Sequence, residues 1–340
     1  MKLKTKFIFL CWGLLSLITG TVFSQTAYVD ELSYGSQSRN AVPIPPSEQM
    51  LQTVVAETWF EVTKENHSLE GAIFDSDGNL LFCDVTERCV LRLTPDKQLS
   101  VVVRFETLSP GGLAFHKDGR LFIAAIDMDR KEGGIFVLNK DSSGMKPIIN
   151  TEAGYMPNDL VFDAAGGFYF TDFRGTLTEL NGGVYYVSPD FSSVTSVLPR
   201  LSMANGIALS PDGRTLWVTE FARNLLHKVT LKTATAFSPV GTTVAYHFIG
   251  PAPDSMRSDT DGNVYVAIYG QGRVLVFSPH GIPVGQVLLP GREKGHNLLS
   301  TSLALYPGTT DLYAVTSDGE RGMGAGIFHA RVFGKGLSPF

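Results

Sequence analysis

From residue 66 onward, apolar and polar positions alternate in short runs broken by Gly-containing turns. That alternation predicts strands, and the DG and GG pairs predict tight turns. A unit recurs: a polar residue, an apolar triplet, a Gly turn, a second apolar strand, a loop and a third strand. Its copies open with LEGAIFDSDGNLLFCD, PGGLAFHKDGRLFIAAI, PNDLVFDAAGGFYFTDF, ANGIALSPDGRTLWVTE, PDSMRSDTDGNVYVAIYG and a degraded STSLALYPGTTDLYAVTS. Aligned on Phe74, Phe115, Phe162, Leu209, Ser258 and Leu305, they are spaced by 41, 47, 47, 49 and 47 residues. Strand units at such a period predict propeller blades of about four strands. Six copies predict an all-β, six-bladed β-propeller over residues 66–340. The GH and WD signature of WD40 repeats is missing, and SPDGRTLW has its Gly one residue early for a sialidase Asp box.

Residues 25–65 precede the first copy and form an N-terminal arm. Glu48 to Thr58 has mild helical character, and Trp59 to Val62 is expected to supply the strand that closes the last blade. Ahead of the arm, Lys2, Lys4 and Lys6 lead into an apolar run from Phe7 to Phe23. Val22-Phe23-Ser24 meets the small-residue rule, so residues 1–24 read as a signal peptide cleaved after Ser24. The alternative is a membrane anchor. Gly13, Ser16, Thr19, Gly20 and Thr21 weaken the run as a permanent span, which needs about 20 predominantly apolar residues. The expected location is periplasmic or secreted.

Composition sharpens this picture. The 340 residues include 35 Gly and 18 Pro, with 18% charged residues and a net charge of −5. Losing the signal segment removes three lysines and no acids, leaving −8. An acidic chain with no Lys/Arg run argues against nucleic acid and anionic membrane as partners. Of three cysteines, Cys83 and Cys89 survive processing. An export compartment permits a cross-strand disulfide between them if the turn takes five residues; two half-buried thiols fit the same sequence.

The candidate chemistry comes from the alignment. Four places before each anchor stand Glu70, Gly111, Asn158, Asn205, Asp254 and Thr301. All are expected at the start of an innermost strand, where six blades meet one axis. Glu70, Asn158, Asn205 and Asp254 carry a carboxylate or amide oxygen. Asn and Asp also favour turns, so one such residue means little; four in register among six repeats point to a site. Two carboxylates and two amides in a narrow channel are costly unless a cation sits among them. An all-oxygen set suits a hard ion, Ca²⁺ first, with Zn²⁺ or Mn²⁺ as alternatives. Ser255 adds a hydroxyl ligand or is a turn serine. The seven histidines show no pair at metal spacing.

These residues and the stretches NAVPI, TWFEV, LEGAIFD, NDLVFDAAGGFYFTDFRG, GGVYYVSPDF, ANGIALSPDGRTLWVTE, PDSMRSDTDGNVYVAIYGQGRVLVF and LLPGREKGH resemble the regucalcin/gluconolactonase (senescence-marker-protein) family of six-bladed propellers. The resemblance runs roughly from residue 40 to residue 296. It implies one catalytic divalent ion, usually Ca²⁺, held by Glu70, Asn158, Asn205 and Asp254. It also implies that Asp254 moves protons as acid/base in the hydrolysis of lactones. The residues suit that chemistry, since a lactone carbonyl on the ion is polarised for attack by water. No G-x-S-x-G elbow offers a covalent nucleophile.

A resembled member has a second, structural calcium site near the loop that reads DMDRKEGG here. Lys131 stands where a ligand is wanted, although Gly133, Asn150 and Tyr155 retain oxygens. His67 and His296 precede blade starts and read as loop histidines or proton relays. Tyr155, Phe173, Phe221 and Tyr269 read as blade packing or as an apolar substrate wall. The competing readings are a non-enzymatic propeller that binds a protein or sugar around a structural metal, and a strictosidine-synthase-like lyase. The first would place its polar features on the rim, whereas here they lie on the axis. The second would need a catalytic carboxylate without a four-oxygen cage.

Overall fold

The computed structural model describes residues 31–338; the lysine-flanked segment 1–24 and its cleavage point lie outside the described residues. Six small sheets, antiparallel but for one added edge strand, form a ring. Blade 1 is Leu69–Phe74, Leu80–Asp84, Cys89–Leu93 and Leu99–Arg104, from the axis outward. The inner strands of blades 2 to 6 are Ser109–Phe115, Pro157–Phe162, Ala204–Leu209, Pro253–Ser258 and Leu299–Leu305. Every inner strand therefore ends on the anchor residue of its repeat. The turns that follow are fastened by their own acids. Asp75 Oδ1 accepts from the backbone N–H of Asp77 and Asn79, and Asp259 Oδ1 does the same for Asp261 and Asn263.

The blades are held apart and together by six apolar layers, one between each neighbouring pair. Period-2 alternation supplies them, since each strand sends alternate side chains to the two faces of its blade. Phe122, Phe168 and Phe170 fill the layer between blades 2 and 3, and Trp217 anchors the layer between blades 4 and 5. Each such side chain, fully buried, contributes roughly 1.5–3 kcal/mol.

The ring is closed by the arm. Glu57–Thr63 pairs antiparallel with Ala325–Arg331 as the outer strand of blade 6, so the strand expected around Trp59 to Val62 is present. The helical expectation for Glu48 to Thr58 is not met. Only Pro46–Glu48 makes a single 3₁₀ turn, and Gln52–Val55 is a strand running parallel to Pro283–Leu288 on the edge of blade 5. The open edge of that blade offers backbone partners, and β-branched Thr53, Val54 and Val55 suit an extended chain better than a helix.

The disulfide does not form. Cys83 and Cys89 are free, buried thiols. Asp84 pairs with Cys89 and Cys83 with Val90, so the two cysteines project from opposite faces of blade 1. Cys89 packs toward blade 6 and Cys83 toward blade 2. Among the described residues, no helix is long and apolar enough to cross a membrane.

Candidate active site

Each inner strand breaks register with its neighbour at the same place. The irregularities fall between Glu70 and Ile73, Pro110 and Gly112, Pro157 and Leu160, Ala204 and Ile207, Pro253 and Met256, and Ser300 and Ser302. Glu70, Gly111, Asn158, Asn205, Asp254 and Thr301 all stand at or within these bulges. A bulge re-aims a side chain that regular pleating would send into an inter-blade layer. The inner strands also approach closely here. A methyl group at Gly206 would lie 2.5 Å from the carbonyl oxygen of Asp254.

The carbonyls behind the site are fastened from blade to blade. Thr171 Oγ1 accepts from the N–H of Asp159 in its own blade and donates to the carbonyl of Asn205 in the next, at 3.0 and 2.5 Å. Thr219 repeats the pattern, accepting from Gly206 N–H at 2.7 Å and donating to the carbonyl of Asp254 at 2.8 Å. Thr301 donates to the carbonyl of Leu69, beside Glu70, at 2.5 Å. Its hydroxyl is thus a strand tie.

Asn205, Asp254 and Ser255 are buried, while Glu70 and Asn158 are partly exposed. Burial holds the carboxyl of Asp254 well above the usual carboxylate range and Asp159 adds to this, against the stabilising Ser255 N–H (2.9 Å to Oδ1) and the Asn205 side chain. Desolvation of its carboxyl within the channel, although the residue is partly exposed, also raises Glu70, and the charges of Asp254 and Asp159 raise it further against Gly71 N–H and Arg257. Asn205 Oδ1 is buried and has no hydrogen-bond partner. A buried carbonyl oxygen without a donor, beside two acids reluctant to ionise together, is the electrostatic outline of a cation site. The donor set fits a hard divalent ion: two carboxylates and two amides, with the Ser255 hydroxyl alongside. Among the described residues there is no cluster of three or more His, Cys, Asp and Glu able to hold a metal, which leaves this mixed amide–carboxylate set as the candidate.

Comparison with known proteins identifies the family of the chain. Residues 68–317 match the model of the SMP-30/gluconolactonase/LRE-like region. The chain belongs to that family. It is 45% identical over 315 residues to "Lactonase drp35" of Staphylococcus saprophyticus, covering 91% of this chain and 97% of the relative. The protein of the same name from Staphylococcus aureus strain USA300 is 44% identical over 313 residues, covering 91% and 96%. A calcium-binding protein, regucalcin, from Agrobacterium tumefaciens superposes with a TM-score of 0.70 at 19% identity, over 85% of this chain and 98% of that one. A putative gluconolactonase superposes with a TM-score of 0.66 at 20% identity, over 88% and 99%. At such identities these two establish the propeller alone.

Several features of this family member escaped the reading of its sequence. Buried acids at the ends of the second strands or just after them hold the loops that enter the site. Asp172 accepts from Met156 N–H at 3.1 Å, Glu220 from Ser202 N–H at 2.9 Å and Asp318 from Asn297 N–H at 2.8 Å. In the sequence FTD, VTE and TSD look like ordinary turn acids; their recurrence one strand after Asn158, Asn205 and Thr301 was the available signal. His67 and His296 are paired with two such carboxylates, Asp84 at 2.7 Å and Asp318 at 3.1 Å. Asp84 raises His67 against the lowering effect of burial.

Phe173, Phe221 and Tyr269 occupy equivalent places on blades 3, 4 and 5. Their N–H groups bond the carbonyls of Met156, Met203 and Ala252, each two residues before a candidate ligand. The rings are steeply inclined to one another, with centroids 5.9 and 5.8 Å apart. Burial and the charges of Asp254 and Glu70 raise the Tyr269 phenol. Tyr155 does not join this wall, packing instead on Phe170, Tyr185 and Arg174. In the loop compared with a second calcium site, Arg130 lies 3.7 Å from Asp127 and 3.6 Å from Glu132, so two of its three acids already have a cation.

Proposed function

We propose that the chain is an exported lactonase whose activity depends on a divalent ion, Ca²⁺ before Zn²⁺ or Mn²⁺, held by Glu70, Asn158, Asn205 and Asp254 with Ser255 alongside. That it is a lactone-hydrolysing enzyme, a hydrolase of carboxylic ester bonds, follows from its family and its lactonase relatives over nine-tenths of its length. The metal reading rests on one observation above the others: Asn205 Oδ1 is buried without a partner beside two acids whose ionisation the site opposes.

A bound divalent ion supplies Lewis-acid polarisation of the lactone carbonyl. The protein's own groups do the rest. The Asn205 side chain favours the ionised form of Asp254. Asp254 takes a proton from the attacking water as the oxygen–carbon bond forms. It returns that proton to the ring oxygen as the ring carbon–oxygen bond breaks, giving a hydroxy acid. A buried carboxylate is a stronger base than a solvated one, which favours the first transfer. Phe173, Phe221 and Tyr269 offer an apolar flank to the body of the substrate and keep water off one side of the mouth.

A panel of sugar, aromatic and acyl-homoserine lactones, followed by acid release, tests the reading. At least one class is expected to turn over. Metal-dependent stabilisation without hydrolysis of any class would favour the non-enzymatic binding propeller. Export is supported by the lysine-flanked apolar segment ending at Ser24. Soluble protein recovered from outside the cytoplasm is expected to begin near Gln25; recovery of Met1 there would reject processing.

A further inference from the structure

Just beneath the candidate cage, one guanidinium joins three blades. Arg257 lies three residues after Asp254 on blade 5. Its Nη1 donates to Asp159 Oδ2 on blade 3 at 3.1 Å and to the carbonyl of Met256 at 2.7 Å. Its Nη2 donates to the carbonyl of Ala72 on blade 1 at 3.2 Å. Asp159 is fully buried and adjoins Asn158, while Ala72 is two residues beyond Glu70. Three of the four strands that carry candidate ligands are therefore tied to one planar group, from alternate blades around the axis. Arg257 also lines a cavity of about 680 Å³ bounded largely by the far ends of the inner strands.

We propose that Arg257 is a positioning residue that holds the ligand-bearing strands at a fixed spacing and thereby makes the cage prefer a large divalent cation to a small one. The inference rests on the ion reading above. Ca²⁺ takes oxygens at about 2.3–2.6 Å in flexible geometry, whereas Mg²⁺ demands about 2.0–2.1 Å and a near-ideal octahedron. A cage that cannot contract leaves the smaller ion under-coordinated. The planar fork of Arg reaches Asp159 and Ala72 together; a lysine ammonium offers one point of attachment.

Metal-stripped full-length chain, titrated separately with Ca²⁺ and Mg²⁺ by calorimetry and by thermal shift, tests this. The variants are Arg257→Lys and the double variant Asp159→Asn/Arg257→Met. The double variant leaves no uncompensated buried charge. Wild type is expected to bind Ca²⁺ more tightly than Mg²⁺. Outer-shell partners typically alter metal affinity 10–100-fold, so the Ca²⁺/Mg²⁺ affinity ratio is expected to fall about tenfold in both variants. Simple destabilisation would lower the metal-free melting temperature and leave that ratio unchanged. A wild-type ratio in both variants overturns the positioning role, and Arg257→Lys alone decides if the double variant does not fold. Wild type binding neither ion removes the ion reading itself, and the positioning role with it.

Discussion

Asp254→Asn is expected to lower kcat by roughly 10²–10⁴-fold at saturating Ca²⁺, the usual contribution of general acid/base catalysis. The substitution retains an amide oxygen that can accept from Ser255 N–H, so the local backbone is preserved and much of the metal affinity remains. What it removes is the carboxylate that carries the proton. Asn205→Asp keeps an oxygen ligand and takes away no proton carrier, so its kcat falls less. Glu70→Gln mainly weakens metal binding, and excess Ca²⁺ restores part of its activity. The deciding measurement is kcat for the three variants at saturating Ca²⁺. Near wild-type kcat for Asp254→Asn would make Asp254 a ligand only. His67, held by Asp84, and His296, held by Asp318, would then be the next candidates for proton transfer.

Exhaustive chelation is expected to abolish lactone hydrolysis, and added Ca²⁺ to restore it. A ligand that binds only the folded state stabilises it by RT ln(1 + [L]/Kd), about 2.7 kcal/mol at a hundredfold excess over Kd. For a chain of this size that corresponds to a rise in melting temperature of the order of 5 °C. The gain should depend on pH. Burial raises both Glu70 and Asp254 in the metal-free fold, so the folded state binds protons more tightly than the unfolded chain. The stability that protonation confers is fully present below the ordinary carboxylate range and is lost as pH rises through the raised folded values. The stripped protein should therefore lose stability as pH rises from the ordinary carboxylate range through the raised folded values, and the stabilisation by Ca²⁺ should widen over the same interval. Melting curves with and without chelator across that interval check both statements. Unchanged activity and melting after chelation would reject the ion site.

Turn chemistry and period-2 alternation are local properties, which is why the blades could be counted from the chain. Each inner strand ends where its repeat is anchored, because the Asp–Gly turns that punctuate the sequence are closed by bonds within a few residues. Glu70, Asn158, Asn205 and Asp254 stood out for the same reason: a repeat turns a linear offset into a shared position around an axis. The arm was misjudged where no repeat applied. Gln52–Val55 is a strand because the edge of blade 5, more than 200 residues away in the chain, needed a partner.

What the sequence determined by itself, then, is the ring of six blades and the register that brings four oxygen-bearing side chains to one level of it. The tertiary structure decided how those side chains are aimed and what braces them. The six bulges depend on close approach between neighbouring inner strands, as at Gly206 against Asp254. The opposed faces of Cys83 and Cys89 depend on a turn of four residues instead of five. The tie from Arg257 to Asp159 and Ala72 joins residues 98 and 185 positions apart. Short-range patterns record what a residue does to its neighbours in the chain. Contacts across the axis become visible only when six remote segments are packed around it, because closing such long loops is set by the sum of all the blade interfaces and by no single stretch of residues.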